Sequence, residues 1–366
     1  MKNTVIIILF AMSLLSSCTI RQDYNQQLLK ADSLMQLRPD SALNILKSMS
    51  SEKLSTRADN AYYALLLTQA QDKNFVVQKD DSLIQIAVHY YDSIGDTKMQ
   101  AKAHYYWGCV YRDMNQQAEA IREFFIAAPL TEKSKEKRQL GLIYNNIGCI
   151  YNIQEFNEKA DSIYQLVEVI AEELKDTILW VEALSKQGSI ALAEGNNYFP
   201  IVEQKLSDAF RIADKVGHNG LKADISASLS HLYSRMNLGE KALYYAKLNL
   251  SLRRDATRAY RTFLILGDAY YKCGQYDSAT FYLNKSLIGK DYGRKADAYM
   301  RLADIAMIQG DNALSIELER SSSAYKDSLY QLRRRVVTNK IIKAETDAQT
   351  MLQKLYYKGR LNTYLC

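Results

Sequence analysis

Apolar residues recur along most of the chain at steps of three and four, the period of a helix with one buried face. In the stretch 259–287, Phe263, Leu266, Gly267 and Tyr270 fall on one side of a first helix. A turn at 272–275 follows, with Gly274 free to take a positive φ, and Ala279 and Leu283 then lie on one side of a second helix. Small residues at Gly267 and Ala279 predict a close approach of the two helices. A single hairpin of this kind leaves its apolar face uncovered, so several must stack. The first copy is expected over 26–49. There Leu28, Leu29, Ala31 and Leu34 precede the break Arg38-Pro39-Asp40, and Ala42, Leu43 and Leu46 form the next inner face. Pro39 suits the first turn of that second helix. Segments 58–70 and 81–94 predict another hairpin with a longer connection.

From residue 100 the copies sharpen. His104, Trp107, Gly108, Tyr111, Ala120, Phe124 and Ala127 recur as Tyr144, Ile147, Gly148, Tyr151, Ala160, Tyr164 and Val167. The frame returns as Leu184, Gly188 and Ala191 followed by Val202, Leu206 and Ala209, then as Leu229, Ser230, Tyr233 and Ala242. Its last copy holds Tyr299, Leu302, Ala303, Ala306 and Gly310. This spacing resembles the tetratricopeptide repeat (TPR) family, with Trp, Leu, Gly and Tyr in helix A and Ala, Phe and Ala in helix B. The resemblance covers roughly 24–325. It implies an all-α, TPR-like superhelical solenoid of antiparallel helix hairpins, with A helices along its concave face. Gly108 and Gly148 are forty residues apart, which predicts longer connections than in a thirty-four-residue array.

After residue 311 the pattern changes. Tyr325, Leu329, Leu332 and Val336, then Val337, Ile341, Ala344, Ala348, Met351 and Leu355, follow heptad-like steps with one stutter. A long C-terminal helix is expected, starting within the last repeat and stopping near Lys358-Gly359. Its narrow apolar stripe needs a cover: the repeat groove of its own chain, a second copy through self-association, or another envelope protein. The four-three spacing suits a two-helix seam, while Arg333, Arg334 and Arg335 would repel in a parallel pair.

At the other end, Lys2 precedes an apolar run, Val5 to Leu15, too short for a comfortable span and suited to a signal peptide over 1–17. The sequence Leu15-Ser16-Ser17-Cys18 resembles a bacterial lipobox. That resemblance implies cleavage before Cys18, lipidation of its thiol with palmitate-type chains, and tethering to a membrane. Neither an Asp directly after Cys18 nor a paired-acid run follows, so the anchored chain is expected to face the periplasm, on the outer or inner membrane. The expected organisation is then 1–17 signal peptide, 18–49 tether and first hairpin, 50–325 repeat array, and 326–366 basic helical, coiled-coil-like tail. Lipobox, repeats and tail together resemble a Bacteroidetes class of TPR lipoproteins. Longer members continue into a transmembrane helix and a signalling domain, so this chain is expected to be a shortened relative of such regulators or a scaffold.

Composition sharpens this picture only in places. Only three prolines occur in 366 residues, consistent with helix throughout. The net charge of +6 gives no support to nucleic-acid binding. Nine Lys/Arg against three Asp/Glu within 326–360 account for that surplus. The cysteines at 18, 109, 149, 273 and 366 and the histidines at 89, 104, 218 and 231 show no metal-type spacing, so no cofactor and no metal are expected. Cys109 and Cys149 read as small buried hydrophobes, and Tyr111, Tyr144, Tyr151, Tyr164 and Tyr270 as packing residues. No phosphate loop, nucleophile elbow or zinc helix occurs, so a non-enzymatic protein is expected.

The A-helix positions expected to face the groove carry mixed polar and aromatic side chains: Tyr105, Arg112, Asn145, Asn152, His231, Arg235, Asp268, Tyr271 and Lys272, with Cys149, Ser189, Met300 and Asp304 beside them. Such a surface suits a peptide or helix partner. A groove filled by the terminal helix of the same chain is the alternative. The family's clamp for a C-terminal carboxylate is not matched, because Asn146 and Lys186 fit it but Tyr105, Cys109 and Glu182 do not. A glycan-binding lipoprotein of the starch-utilisation type is a second reading, though its large loop-rich insertion has no counterpart here.

Overall fold

The computed structural model describes residues 25–49, 54, 56–194, 199–253, 259–289 and 291–365, with side chains described except at 193, 194, 259, 331–339, 349 and 351–365. The expected signal peptide, Cys18 and Cys366 lie outside the described residues, as do the side chains of Arg333 to Arg335, Val337, Met351 and Leu355. Sixteen α-helices and no strand occur among the described residues. In chain order they are α1 (Gln26–Leu34), α2 (Pro39–Ser48), α3 (Arg57–Lys73), α4 (Ser82–Ile94), α5 (Thr97–Asp113), α6 (Gln117–Ser134), α7 (Lys137–Ile153) and α8 (Asn157–Leu174). There follow α9 (Thr177–Glu194), α10 (Phe199–Lys215), α11 (Asn219–Arg235), α12 (Gly239–Leu252), α13 (Ala259–Lys272), α14 (Tyr276–Ser286), α15 (Tyr292–Ile308) and α16 (Asn312–Leu365). Odd-numbered helices are the A helices and even-numbered ones the B helices. The fold is an all-α, TPR-like solenoid. The starts of α3, α5, α7 and α9 at Arg57, Thr97, Lys137 and Thr177 keep a forty-residue step.

The repeat frame works through one contact made again and again. A Cβ placed on Gly108 would lie 2.5 Å from the Phe124 ring, on Gly148 2.9 Å from Tyr164, on Gly188 2.9 Å from Leu206, and on Gly267 2.6 Å from Leu283. The large B-helix side chain therefore fills the space that a missing Cβ leaves on the A helix. Gly267 meets Leu283 in this way, rather than Ala279 as its small size suggested. In α11 the position belongs to Ser230, whose hydroxyl donates to the Ala242 carbonyl at 2.9 Å, so a polar side chain fits there without loss. Pro39 does open α2, at its first turn.

Two compact units emerge. One runs up to Glu136 and takes in the segment from Lys340 onward; the other is Lys137–Asn339. This division differs from the expected single array with a separate tail. As expected, the long C-terminal helix starts within the last repeat: α16 is continuous from Asn312, with the Ser315 and Ser322 hydroxyls donating to the Ala303 and Ala296 carbonyls of α15. Further along, Ile341, Ala344 and Ala348 are buried while Lys340, Ile342 and Lys343 are exposed, so half of the expected stripe is already covered within the chain.

Candidate functional site

Groove-facing positions of the first unit behave differently from those of the second. Tyr105 was expected to face a ligand, but it is buried, its ring 4.8 Å from Tyr106 and 6.0 Å from Phe124. Neighbouring rings close over it, so it is not open to a ligand. Tyr62, Leu65, Leu66 and Cys109 on the same helices are buried as well. Burial pushes the Cys109 thiol well above its ordinary range, which fits a packing role. Arg112 lies close to this wall, paired with Asp72 at 2.7 Å and Asp113 at 3.0 Å, and so is already neutralised.

This unit also holds a buried charge cluster that spacing did not reveal. His104 is closed off from solvent, with Nδ1 2.6 Å from Glu123 Oε2 and Nε2 3.3 Å from Asp92 Oδ1. Glu123 is buried too, and its other oxygen accepts from Arg122 at 2.6 Å. Burial alone would strip the imidazole of its proton. Hydrogen bonds to Asp92 and Glu123, and their charges, outweigh it and push the pKa up to about 9.

In the second unit α9, α13 and α15 present half-buried Ser189, Asp268 and Asp304 at one matching repeat position, where α11 has the exposed His231 and α7 has Cys149. Asn145 donates through Nδ2 to Glu182 Oε2 at 3.1 Å, and its carbonyl oxygen has no partner. Partial burial raises the Glu182 carboxyl above its ordinary range, with Lys186 and His218 opposing. Cys149, Asn152, Ser189 and Met300 are half-buried on the same faces, and Ser189 meets Ser228 at 3.2 Å. Arg235 donates to the Leu192 carbonyl and lies over the Phe199 ring at 5.4 Å. Lys272 reaches Asn237 Oδ1 at 3.2 Å.

Charge concentrates where α11, α13 and α15 meet. Arg301 bonds to Asp268 at 2.7 Å and Asp304 at 2.9 Å, and its guanidinium lies 4.5 Å from the centre of the Tyr271 ring. Partial burial works against the charge of Arg301, but the two carboxylates hold it on. His231 is exposed in area, yet the desolvation of its setting lowers its pKa; Asp268 opposes this, while Arg235, Arg261 and Arg301 reinforce it. Of the expected groove residues, then, Asp268, Tyr271 and His231 come together, whereas Tyr105 and Arg112 belong to the other unit. Arg301 is the residue sequence reasoning missed. Its signal was present: it stands three residues before Asp304 on an A helix, one helical turn away.

No His/Cys/Asp/Glu cluster suited to a metal occurs among the described residues. No helix among them is long and apolar enough to cross a membrane.

No protein-family model matches the chain, and no curated protein matches it in sequence. Solved structures do match in fold. RapI in its apo form superposes with a TM-score of 0.60 at 12% identity, covering 84% of this chain and 98% of its own. A Rap protein complexed with Competence and Sporulation Factor gives 0.60 at 13%, covering 91% and 97%. A STAND signal-transduction ATPase with a tetratricopeptide repeat sensor from Pyrococcus horikoshii gives 0.55 at 15%, covering 87% of this chain and 48% of that one. At these identities the likeness is one of fold, and the fold is that of TPR-like helical repeat proteins.

Proposed function

We propose that this protein is a non-enzymatic binding module, a scaffold or sensor for a peptide or protein partner, anchored in the cell envelope by lipid on Cys18. The observation that carries the binding role is the inner face of the second unit. Directly after the small repeat residue, successive A helices there carry half-buried Ser189, exposed His231, half-buried Asp268 and half-buried Asp304, with half-buried Asn145 one turn before the matching Cys149 of α7. Polar groups held half-buried on a rigid helical wall lose little conformational freedom when a partner arrives, which favours recognition. The acids and bases are largely engaged with one another, an arrangement suited to orienting a ligand rather than to proton transfer. The Rap protein complexed with Competence and Sporulation Factor supports this reading through shared fold alone. The anchor is supported by the sequence of residues 2–18, and a periplasm-facing position follows from the residues after it.

Selection from a displayed peptide library on the intact protein tests the binding role. Enriched peptides should lose at least tenfold in affinity for Arg301→Ala and for Asp268→Ala, with helicity preserved in both. Peptides that bind parent and both variants alike, or no enrichment at all, would remove this groove as the site.

A further inference from the structure

In six repeats the A helix ends on a residue with positive φ, two places beyond the last helical residue. These are Phe75 (φ 57°), Asn115, Glu155, Asn237, Gly274 and Gly310. Each backbone N–H at this position bonds back three residues, and the next N–H bonds back five, the familiar helix stop. Glycine, asparagine or a charged residue fits such an exposed corner; a bulky aromatic in the left-handed region does not fit it readily. Phe75 nonetheless occupies it, 87% exposed, followed by Val77 at 66%. Val76, the residue between them, is exposed as well, at 36%. Neither Phe75 nor Val77 joins the apolar core of this region among the described residues.

A second apolar tip stands beside them. Leu37, between α1 and α2, is 88% exposed. Asn74 Nδ2 donates to the Pro39 carbonyl at 2.9 Å, and Lys73 Nζ to Gln36 Oε1 at 3.0 Å, so the two turns are joined along one edge of the first unit. Gln78 pins the far side of the longer loop by donating to Asp113 and to the Thr68 carbonyl. Exposed Arg38 and Lys79 follow the apolar tips and form no ion pair among the described residues. Of the nearby acids, Asp72 and Asp113 are paired with Arg112, and Asp81 accepts from Trp107 and Tyr111. Asp80 accepts from the N–H and hydroxyl of Ser82, at the start of α4.

We infer that the edge formed by Leu37, Phe75 and Val77 inserts into the interfacial layer of an anionic lipid bilayer. This rests on the Cys18 anchor proposed above. Six residues separate Cys18 from Asn25, so the seven Cα-to-Cα steps between them span at most about 24 Å, and α1 is only about 13 Å long. The acyl chains therefore hold this edge within reach of the surface. An aromatic and two aliphatic tips flanked by cations match that layer, where ring and hydrocarbon enter the headgroup boundary and Lys or Arg meets lipid phosphate.

The test uses the full acylated protein in vesicles of phosphatidylcholine and phosphatidylglycerol, with and without brominated acyl chains. Phe75→Trp adds emission above that of Trp107 and Trp180, which the unsubstituted protein measures. Brominated lipid should quench the added emission at least twofold. Mass analysis of the N-terminal peptide reads the anchor separately. Acylated protein whose added emission is equal in both vesicles would overturn the insertion and leave the anchor standing. A blue-shifted emission that grows with protein concentration in the absence of vesicles would overturn it in favour of a second copy as the occupant. If no acyl group is found, the anchor fails and the inference with it. With Cys18→Ser, vesicle association should fall at least fivefold further on adding Phe75→Asn, the residue type at the matching corner Asn115; no further fall counts against insertion.

Discussion

His104 occupies a repeat position that an aromatic or aliphatic side chain fills in other copies, as Tyr144 and Leu184 do. A charged imidazole there is stable only because Glu123 and Asp92 come with it. With a folded pKa of about 9 against an ordinary 6.5, its contribution is fully present below pH 6.5. It shrinks as the unfolded chain loses its proton and is gone once pH passes the folded value. The stabilisation at stake is on the order of 3 kcal/mol. Urea unfolding followed by Trp107 in a Trp180→Phe background should show the first unit losing about that much between pH 6 and 10. His104→Leu should flatten this dependence and lower stability at pH 6, because it strands Glu123 in the interior. An unchanged pH slope in the variant would mean that the histidine is neutral in the folded protein. Nothing in the sequence announced this cluster. Its members lie twelve and nineteen residues apart on three helices, and no local spacing rule brings them together. Tyr105 failed for a related reason, since helical phase tells which side a residue takes but not how deep its neighbours leave it.

At the scale of elements, the repeat frame was readable because it rests on size: a residue without a large side chain on helix A opposite a large one on helix B. That rule marks the hairpins around Gly108, Gly148, Gly188 and Gly267, whereas α1 with α2 was legible from its apolar faces and the break at Pro39. The last helix was readable in its start and apolar stripe, but not in its end, since it runs through Lys358-Gly359 to Leu365, nor in what covers the stripe. Ile341, Ala344 and Ala348 are buried, and the segment from Lys340 belongs to the first compact unit, so these positions are not free to form a seam with a second copy. Removing 340–366 should therefore leave the protein monomeric in sedimentation and destabilise the first unit. Burial of Ile341 alone is worth about 1.5–3 kcal/mol. An intact chain that sediments as a dimer, with a truncated one that is monomeric and equally stable, would restore the self-association reading.

Within each compact unit the hairpins touch chiefly their sequence neighbours, so a local fault should stay local. Two faults in different units make this testable. Gly267→Leu drives a side chain into Leu283, whose own backbone nitrogen would lie 3.1 Å from the new Cβ. Neither helix can yield without parting from the other, and overpacking of this kind costs about 1–3 kcal/mol. Amide exchange should quicken across α13, α14 and α15 and remain at the parental rate in α4, α5 and α6. His104→Leu should do the reverse. The physical basis is that stability in such arrays is a sum of repeat terms and contacts between neighbours, with no single core through which strain is shared. Uniform acceleration over both units from one substitution would show a single cooperative body. In that event the two compact units would not unfold independently, and the groove proposed for the second could not be treated as separable from the lipid-inserting edge proposed for the first.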